Sequence, residues 1–174
     1  MQPQLLLTSF QTWLPHQKSN SSDELLKIIQ PNQIDYAQLS FVRRLPVNIQ
    51  QAAEVVISKI EAIQPHGIIC CGMAESRQQL TIESNANYQE SKLTTPVDLS
   101  DLISQLSNTS ISHDAGRFVC EGLYYQVLEY CRTIKFTLPC IFVHVPVLNP
   151  NNLAVIQADF QIIMKFISEK ATLS

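Results

Sequence analysis

The chain lacks any cluster of basic residues and any long apolar run. Lysine and arginine together number 12 among 174 residues, against 15 aspartates and glutamates, and the formal net charge is -3. Without a basic face, binding to the phosphate backbone of a nucleic acid has no electrostatic basis. No apolar segment is long enough to span a bilayer. The composition therefore predicts a globular protein with no nucleic-acid partner and no membrane partner.

The N-terminus also lacks the pattern of a secretion signal, in which a basic region precedes an apolar core and a small-residue cleavage site. The apolar residues 5–7 are too few for such a core and are typical of a strand instead. The expected location is therefore the cytoplasm.

Metal-ligand spacing is missing as well. No two cysteines are separated by two residues, and the four histidines are scattered, so no metal or other cofactor is expected. Five cysteines cannot all pair within one chain, which favours a reducing compartment. Cys70, Cys71 and Cys140 lie in apolar runs and are expected in the core, because free cysteine packs like a small hydrophobe. Cys131 stands late in a predicted helix and has no evident role.

What the chain does have is a regular alternation of apolar strands and amphipathic helices. Strands are predicted at 5–10, 39–47, 68–71, 79–83, 111–112 and 141–145, and helices at 22–30, 50–63, 98–106, 114–133 and 153–170. The polar segment 84–96 has no clear pattern and is predicted to be a loop. Several strands are apolar throughout, so both faces of the sheet should be covered. We expect an α/β fold, a three-layer α/β/α sandwich with a mostly parallel mixed sheet, in a single domain spanning residues 1–174.

The most informative segment is residues 112–125, where a loop enters a predicted helix and Cys120 stands in the first turns. The free N–H groups and partial positive charge of a helix N-terminus favour thiolate over thiol. Ala115 and Gly116 allow a tight turn and a close approach to a substrate. Cys120 is therefore a candidate nucleophile. The alternative is a core cysteine on the apolar face of the helix beside Leu123, and position alone favours that alternative.

Two distant residues could serve with such a thiol. His144 stands near the end of an apolar strand, where α/β folds gather catalytic groups, and a neutral imidazole there could take the proton of the thiol and deliver it to a leaving amine. Glu83 ends an alternating segment, and its carboxylate could orient the histidine and stabilise its charged form. The alternatives are a core histidine with a backbone partner and an ordinary strand-end carboxylate.

Along nearly its full length the chain resembles the pyroglutamyl peptidase I family of cysteine peptidases, also called pyrrolidone-carboxylate peptidases. Residues 112–120 match the nucleophile motif Ser-x-x-Ala-Gly-x-(aromatic)-(apolar)-Cys, and residues 142–146 match Phe-(apolar)-His-(apolar)-Pro. These two motifs are specific. Residues 45–47 read Leu-Pro-Val as in the family, and residues 71–77 resemble its strand that ends in glycine and is followed by Gly-Arg. Residues 8–13 resemble its Gly-Phe-x-Pro-Phe turn more loosely.

The resemblance implies a hydrolase that cleaves the amide bond after an N-terminal pyroglutamyl residue through an acyl-enzyme. Cys120 would be the nucleophile, His144 the general base and acid, and Glu83 its orienter, with backbone N–H groups near the cysteine stabilising the oxyanion. Phe10 and Trp13, at the positions of two family phenylalanines, would sandwich the pyrrolidone ring; ordinary core aromatics are the other interpretation. The expected partner is a peptide with N-terminal pyroglutamate, and members of this family often form homodimers or homotetramers.

The residues around the expected substrate depart from the family pattern. Ser9 replaces a glycine, and Glu121 stands where the family has asparagine. Residues 84–88 read Ser-Asn-Ala-Asn-Tyr in place of Arg-(apolar)-Ala-x-Asn, and the long loop that follows in the family is reduced to residues 89–93. A second hypothesis is therefore a non-catalytic or weakly active homologue that uses the altered pocket to bind a ligand or a protein. Retention of all three triad residues favours the enzyme.

Overall fold

A six-stranded sheet runs through the centre of the molecule. The computed structural model describes residues 2–32, 34–134 and 138–172. The central sheet has the order β2-β1-β3-β8-β4-β7, and β5 and β6 form a separate pair. The strands are β1 (Gln4–Phe10), β2 (Gln38–Leu45), β3 (Gly67–Met73), β4 (Leu80–Glu83), β5 (Asn85–Tyr88), β6 (Ser91–Thr94), β7 (Thr109–Ser112) and β8 (Cys140–Val145).

Neighbouring strands of the central sheet run parallel, with one exception. Strand β4 lies antiparallel to β8, so that Thr81 pairs with His144 and Glu83 pairs with Phe142. The other pairs, β1 with β2, β1 with β3, β3 with β8 and β4 with β7, are parallel. The predicted mostly parallel mixed sheet is confirmed. The reversed strand matters for the site because it carries Glu83 back alongside β8.

Helices cover both faces of this sheet. They are α1 (Ser21–Ile29), α2 (Ile49–Ile63), α3 (Leu99–Ile103), α4 (Val119–Ile134) and α5 (Leu153–Thr172). Side chains alternate along a strand, so Leu5 and Leu7 pack with α1, α3 and α5 on one face, and Leu6 packs with α2 and α4 on the other. This arrangement confirms the predicted three-layer α/β/α sandwich. The face covered by α2 and α4 holds the site described below.

Side-chain caps set the first residues of three helices. A polar side chain just before each helix accepts a hydrogen bond from a backbone N–H group that the first turn leaves without an internal partner. The capping residues are Asn20 for α1, Asn48 for α2 and Asp98 for α3. The three helices therefore begin close to the residues predicted from the sequence, although α3 ends earlier, at Ile103.

The segment 84–96, predicted to be a loop, contains the antiparallel hairpin of β5 and β6, so that prediction is wrong. Gln89 in the connecting turn has a φ of 52°, a left-handed conformation suited to a tight hairpin. Ala86 and Leu93 are register partners and are both buried on the side of α2 and α4. The alternation of apolar and polar residues is too short to be recognised in so polar a segment. Packing against α4 provides the stabilisation of the hairpin that the local sequence lacks.

Helix α4 begins at Val119 rather than at residue 114, which corrects a second prediction. A carboxylate oxygen of Asp114 accepts a hydrogen bond from the backbone N–H of Gly116 at 2.9 Å. Gly116 has a φ of 92°, which a right-handed helix does not accommodate. The loop therefore persists to Phe118, and Cys120 becomes the second residue of the helix.

The long helix α5 is tied to the edge of the sheet by a buried carboxylate. Asp159 accepts hydrogen bonds from the backbone N–H of Ser107 at 2.9 Å, the backbone N–H of Asn108 at 2.8 Å and the hydroxyl of Thr109 at 2.6 Å. This carboxylate fixes the turn that leads into β7. Among the helices of the described residues, α5 included, none has the length and apolar character needed to cross a membrane.

Replacing Asp159 with alanine should lower the free energy of unfolding by about 2–4 kcal/mol, because the variant leaves buried donors without an acceptor. Urea denaturation measures this loss. Asp101→Ala is the control, since its carboxylate contacts Lys170 at 3.1 Å on the surface and should contribute less than about 1 kcal/mol. Equal losses in the two variants would contradict the role given to Asp159.

Candidate active site

Two of the predicted catalytic residues contact each other across β4 and β8. Thr81 pairs with His144 in the antiparallel register, and Glu83, two residues along the strand, projects from the same face. The Nδ1 atom of His144 lies 2.7 Å from Oε1 of Glu83. The Glu83 side chain is 0% exposed, and the histidine is also buried. Two groups 61 positions apart in the sequence thus form one hydrogen-bonded pair.

The ionisation of Glu83 fixes the tautomer of the imidazole. Burial by itself raises the pKa of Glu83. The hydrogen bond from His144, the nearby Ser112 hydroxyl, the charge of His144 when it is protonated and the charge of Arg77 together outweigh burial and bring that pKa below its ordinary value. An ionised carboxylate only accepts hydrogen bonds, so Nδ1 of His144 is the donor. In the neutral ring Nε2 therefore carries the lone pair and can accept a proton.

His144 is neutral near pH 7 in the free protein. Burial lowers the pKa of His144, and the positive charge of Arg77 lowers it further. The hydrogen bond and negative charge of Glu83 raise the pKa of the imidazole but do not restore its ordinary value. A neutral imidazole with a free Nε2 lone pair is the protonation state that a general base requires.

Cys120 lies over the sheet beside this pair. Its Sγ atom is 2.6 Å from the point where a Cβ atom on Gly72 would stand. Gly72 is the register partner of His144 in the parallel pair of β3 and β8. Adjacent strands are about 4.8 Å apart and partner residues project from the same face, so the thiol and the imidazole lie over neighbouring strands on the same face of the sheet. The missing side chain of Gly72 provides the space for the sulfur.

Burial of the sulfur opposes the effect of the helix N-terminus on the Cys120 thiol. Cys120 is partly accessible to solvent, yet its sulfur is closely surrounded by protein. Burial, followed by the negative charge of Glu83, raises the pKa of Cys120 to about 12, and the positive charge of Arg77 only partly offsets this. The tendency of the helix N-terminus to favour a thiolate is therefore outweighed. Such a thiol needs a neighbouring base at the moment of attack, and His144 is placed to supply it.

Gly72→Ala should displace the sulfur of Cys120 and lower kcat/KM by about 10²-fold, because the added Cβ would also stand 2.9 Å from the Phe142 ring. Steady-state kinetics on folded protein measure the effect. Gly67→Ala is the matched control, since its Cβ would meet Ile167 at 2.7 Å, away from the triad. Both variants should lose about 1–3 kcal/mol of stability. Normal kinetics in Gly72→Ala would show that the sulfur does not depend on this space.

Arg77 joins this site, although sequence reasoning did not place it among the candidates. One guanidinium nitrogen, Nη1, donates to Oε1 of Glu83 at 2.7 Å and also to the hydroxyl of Thr81. The other nitrogen, Nη2, donates to the backbone oxygen of Asp114 at 2.9 Å. Arg77 is the one basic residue between β3 and β4, and that single positive charge six residues before Glu83 is the signal that could have found it.

The two aromatic residues predicted to hold the substrate ring lie in different environments. Phe10 is 2% exposed at the end of β1 and borders a cavity of about 280 Å³. Trp13 is 51% exposed, and its ring packs on that of Phe118 with a centroid separation of 4.7 Å. Phe118 precedes Cys120 by two residues and is 50% exposed. Trp13 thus reaches the loop that leads to Cys120, and Phe118 is a neighbour that the sequence did not predict.

Two of the departures from the family pattern contact each other. Glu121, next to Cys120 in α4, accepts hydrogen bonds from the backbone N–H of Asn87 at 3.0 Å and from its side-chain amide at 2.9 Å. Asn87 belongs to the rewritten segment 84–88 and lies in β5. The Glu121 carboxylate therefore links the β5–β6 hairpin to the helix that carries Cys120.

An α/β sandwich that places a thiol on the same face of the sheet as a hydrogen-bonded imidazole and carboxylate has the arrangement of a cysteine hydrolase. Residues 3–101, more than half of the chain, match the family model for pyroglutamyl peptidase. The chain belongs to the pyroglutamyl peptidase family.

Individual relatives agree with this assignment. The chain is 26% identical over 170 residues to a pyrrolidone-carboxylate peptidase of Thermoanaerobacter sp. (strain X514), covering 83% of this chain and 82% of the relative. It is 27% identical over 169 residues to that of Streptococcus pneumoniae (strain 70585), covering 82% and 77%.

Solved structures show the same fold. The chain superposes on the pyrrolidone carboxyl peptidase from Thermococcus litoralis with a TM-score of 0.83 at 18% identity, covering 98% of this chain and 96% of that one. With pyroglutamyl peptidase I of Bacillus amyloliquefaciens the TM-score is 0.83 at 20% identity, covering 97% and 98%.

Proposed function

We propose that this protein is a cysteine peptidase that removes pyroglutamate from the N-terminus of peptides. The observation that carries the proposal is the hydrogen bond between His144 and Glu83 beside the sulfur of Cys120, which lies over Gly72. A binding module would not need a thiol, a base and an orienting carboxylate on one face of the sheet. Membership of the pyroglutamyl peptidase family supports this substrate class.

Acylation begins with attack of the Cys120 sulfur on the exocyclic carbonyl carbon of the pyroglutamyl residue. As the carbon–sulfur bond forms, the thiol proton passes to Nε2 of His144, and Glu83 stabilises the resulting imidazolium. The carbonyl oxygen takes up the negative charge, and backbone N–H groups at the start of α4 are the donors for it. The carbon–nitrogen bond then breaks, and His144 gives its proton to the leaving amine.

Deacylation repeats these steps with water. His144 takes a proton from a water molecule as its oxygen attacks the thioester carbon, and the carbon–sulfur bond breaks. The sulfur recovers the proton from the imidazolium, which restores the neutral thiol and the neutral base. Pyroglutamate is the acid released. This protonation cycle matches a resting state in which both Cys120 and His144 are uncharged.

Phe10 and Trp13 would contact the two faces of the flat pyrrolidone ring, since aromatic rings pack well on such a surface. To do so, the indole of Trp13 must leave part of its packing on Phe118. We further propose that residues 1–174 act as a single catalytic domain in the cytoplasm and that a homo-oligomer is one form of the protein. All five cysteines are free thiols, which supports a reducing compartment.

A fluorogenic pyroglutamyl amide tests the proposal directly. The enzyme should release the fluorophore from this substrate and leave the matching prolyl and glutamyl amides intact. The prolyl amide has the ring without its carbonyl group, and the glutamyl amide has the open chain, so the pair controls for ring shape and for composition. Absence of release, together with a Cys120 thiol that iodoacetamide does not alkylate, would favour the binding module instead.

A further inference from the structure

Arg77 bridges two parts of the site that come from different segments. Its guanidinium contacts the Glu83 carboxylate from the loop between β3 and β4 and, through its second nitrogen, the backbone oxygen of Asp114. Asp114 begins the loop that ends at Cys120. The planar guanidinium has donors pointing in several directions, so one side chain can hold both acceptors at once. The acid of the triad and the approach to the nucleophile are thereby linked.

The electrostatics of the free site require a cation at this point. Glu83 is fully buried and ionised, while the imidazole beside it is neutral, so the His144 side chain brings no compensating charge at rest. A buried carboxylate without a counter-charge is strongly destabilised. Arg77 is 23% exposed and within 2.7 Å of the same oxygen that accepts from His144, and it supplies that charge.

We propose that Arg77 is a positioning residue of the catalytic site, which holds the Glu83 carboxylate against His144 and fixes the loop before Cys120 through Asp114. The inference rests on the proposed peptidase function and deepens it, because it concerns the same triad. Arg77 acts through Glu83 and Asp114 rather than by touching the substrate.

Other ionisable groups also face the triad. Helix α4 contributes the Cys120 thiol and Tyr124, whose hydroxyl donates to the backbone oxygen of Glu83 at 3.2 Å. Burial raises the pKa of Tyr124 well above its ordinary value, so that hydroxyl stays neutral. Strand β3 contributes the buried Cys70, and the loop before α4 contributes Asp114, whose carboxylate accepts from Gly116. Among the described residues that contact Glu83, Arg77 is the one with a permanent positive charge.

Two variants separate the charge of Arg77 from its bridging geometry. Arg77→Gln removes the charge, and Arg77→Lys keeps the charge but cannot reach both acceptors with one point donor. Arg43→Gln is the matched control, because Arg43 pairs with Asp23 at 2.8 Å and is 24% exposed, on β2. The rate of Cys120 alkylation by iodoacetamide is measured against pH for each protein, together with kcat and KM for the pyroglutamyl amide.

The positive charge of Arg77 lowers the pKa of the Cys120 thiol, so Arg77→Gln should raise that pKa. Below the pKa the alkylation rate follows the thiolate fraction, so between about pH 8 and pH 10 the rate in Arg77→Gln should be about tenfold lower than in the wild type. Arg77→Lys should keep the wild-type rate over this range while its kcat falls by about 10-fold to 100-fold with little change in KM. Arg43→Gln should match the wild type in both measurements.

An alkylation rate of Arg77→Gln between about pH 8 and pH 10 that equals that of the wild type would overturn the inference. If Arg77→Gln does not fold, Arg77→Lys decides: a kcat equal to that of the wild type would equally overturn it. Alkylation needs no pyroglutamyl substrate. A wild-type protein that fails to cleave the amide, together with the expected slower alkylation of Arg77→Gln, would therefore refute the peptidase function and leave the role of Arg77 intact.

Discussion

Cys120→Ala should reduce kcat/KM for a pyroglutamyl amide by about 10⁵-fold or more. The methyl group cannot form the carbon–sulfur bond on which the acyl-enzyme depends, and the remaining groups of the site can only polarise the carbonyl or orient water. The fold should survive, because alanine fits the space of a small side chain in the first turn of α4 and is a good helix former. Steady-state kinetics and thermal denaturation of the same preparation measure the two effects.

The matched control for this variant lies on the same helix. Cys131 is buried in the core of the face covered by α2 and α4 and has no place in the proposed mechanism. Cys131→Ala should therefore keep the wild-type kcat/KM, while losing some stability through a small cavity. Comparable loss of activity in the two variants, or normal turnover by Cys120→Ala, would remove Cys120 from the role of nucleophile.

His144→Ala is expected to have the next largest effect and to change the shape of the pH profile. With a pKa of about 12, only about 10⁻⁵ of the Cys120 thiol is ionised at pH 7. Without a base to take the proton during attack, the variant depends on this small fraction, so kcat/KM at pH 7 should fall by about 10⁴-fold to 10⁵-fold. The thiolate fraction increases as pH rises, so the residual rate should increase about tenfold per pH unit between pH 7 and pH 10.

His66→Ala controls for the removal of an imidazole elsewhere. His66 precedes β3, and its Nδ1 accepts a hydrogen bond from the backbone N–H of Gln4, at the opposite end of the strands from the site. Its pH profile should follow that of the wild type. A residual activity of His144→Ala that does not change with pH would mean that deprotonation of Cys120 does not limit the reaction.

The layers of the fold could be predicted because each helix and strand has its own pattern of apolar residues. Residues 50–63 have helical spacing of apolar side chains and form α2, and the apolar run 68–71 lies within β3. The cap at Asn48 lies just before the predicted start of that helix. By contrast, the antiparallel run of β4 beside β8 depends on partners far apart in the chain, and no local pattern specifies it. That reversal is what brings Glu83 to His144.

The protonation of the nucleophile could not be predicted from its position on a helix. A helix N-terminus favours a thiolate, but burial of the sulfur and the charge of Glu83 act in the opposite direction and prevail. Both influences come from β4 and the surrounding core, which the sequence does not place next to Cys120. For the same reason, the contacts of Arg77 could not be predicted.

The departures from the family pattern are connected in space. Glu121 and Asn87 hydrogen-bond to each other, so the altered residue beside the nucleophile and the altered segment after Glu83 form one unit. The contact between Glu121 and Asn87 lies at the β5–β6 hairpin, and the contact between Glu83 and His144 is intact. Changes in the substrate-facing surface are thus compatible with an unchanged triad.

The central claim is that the sulfur of Cys120 forms a covalent bond to the pyroglutamyl carbonyl. An activated ester of pyroglutamate acylates rapidly, so quenching its turnover in acid should trap the intermediate. Mass spectrometry of the intact protein and of its peptides should then find one pyroglutamyl group on the peptide that contains Cys120 and on no other cysteine peptide. Rapid turnover with no adduct at Cys120, or an adduct on a different cysteine, would contradict the account.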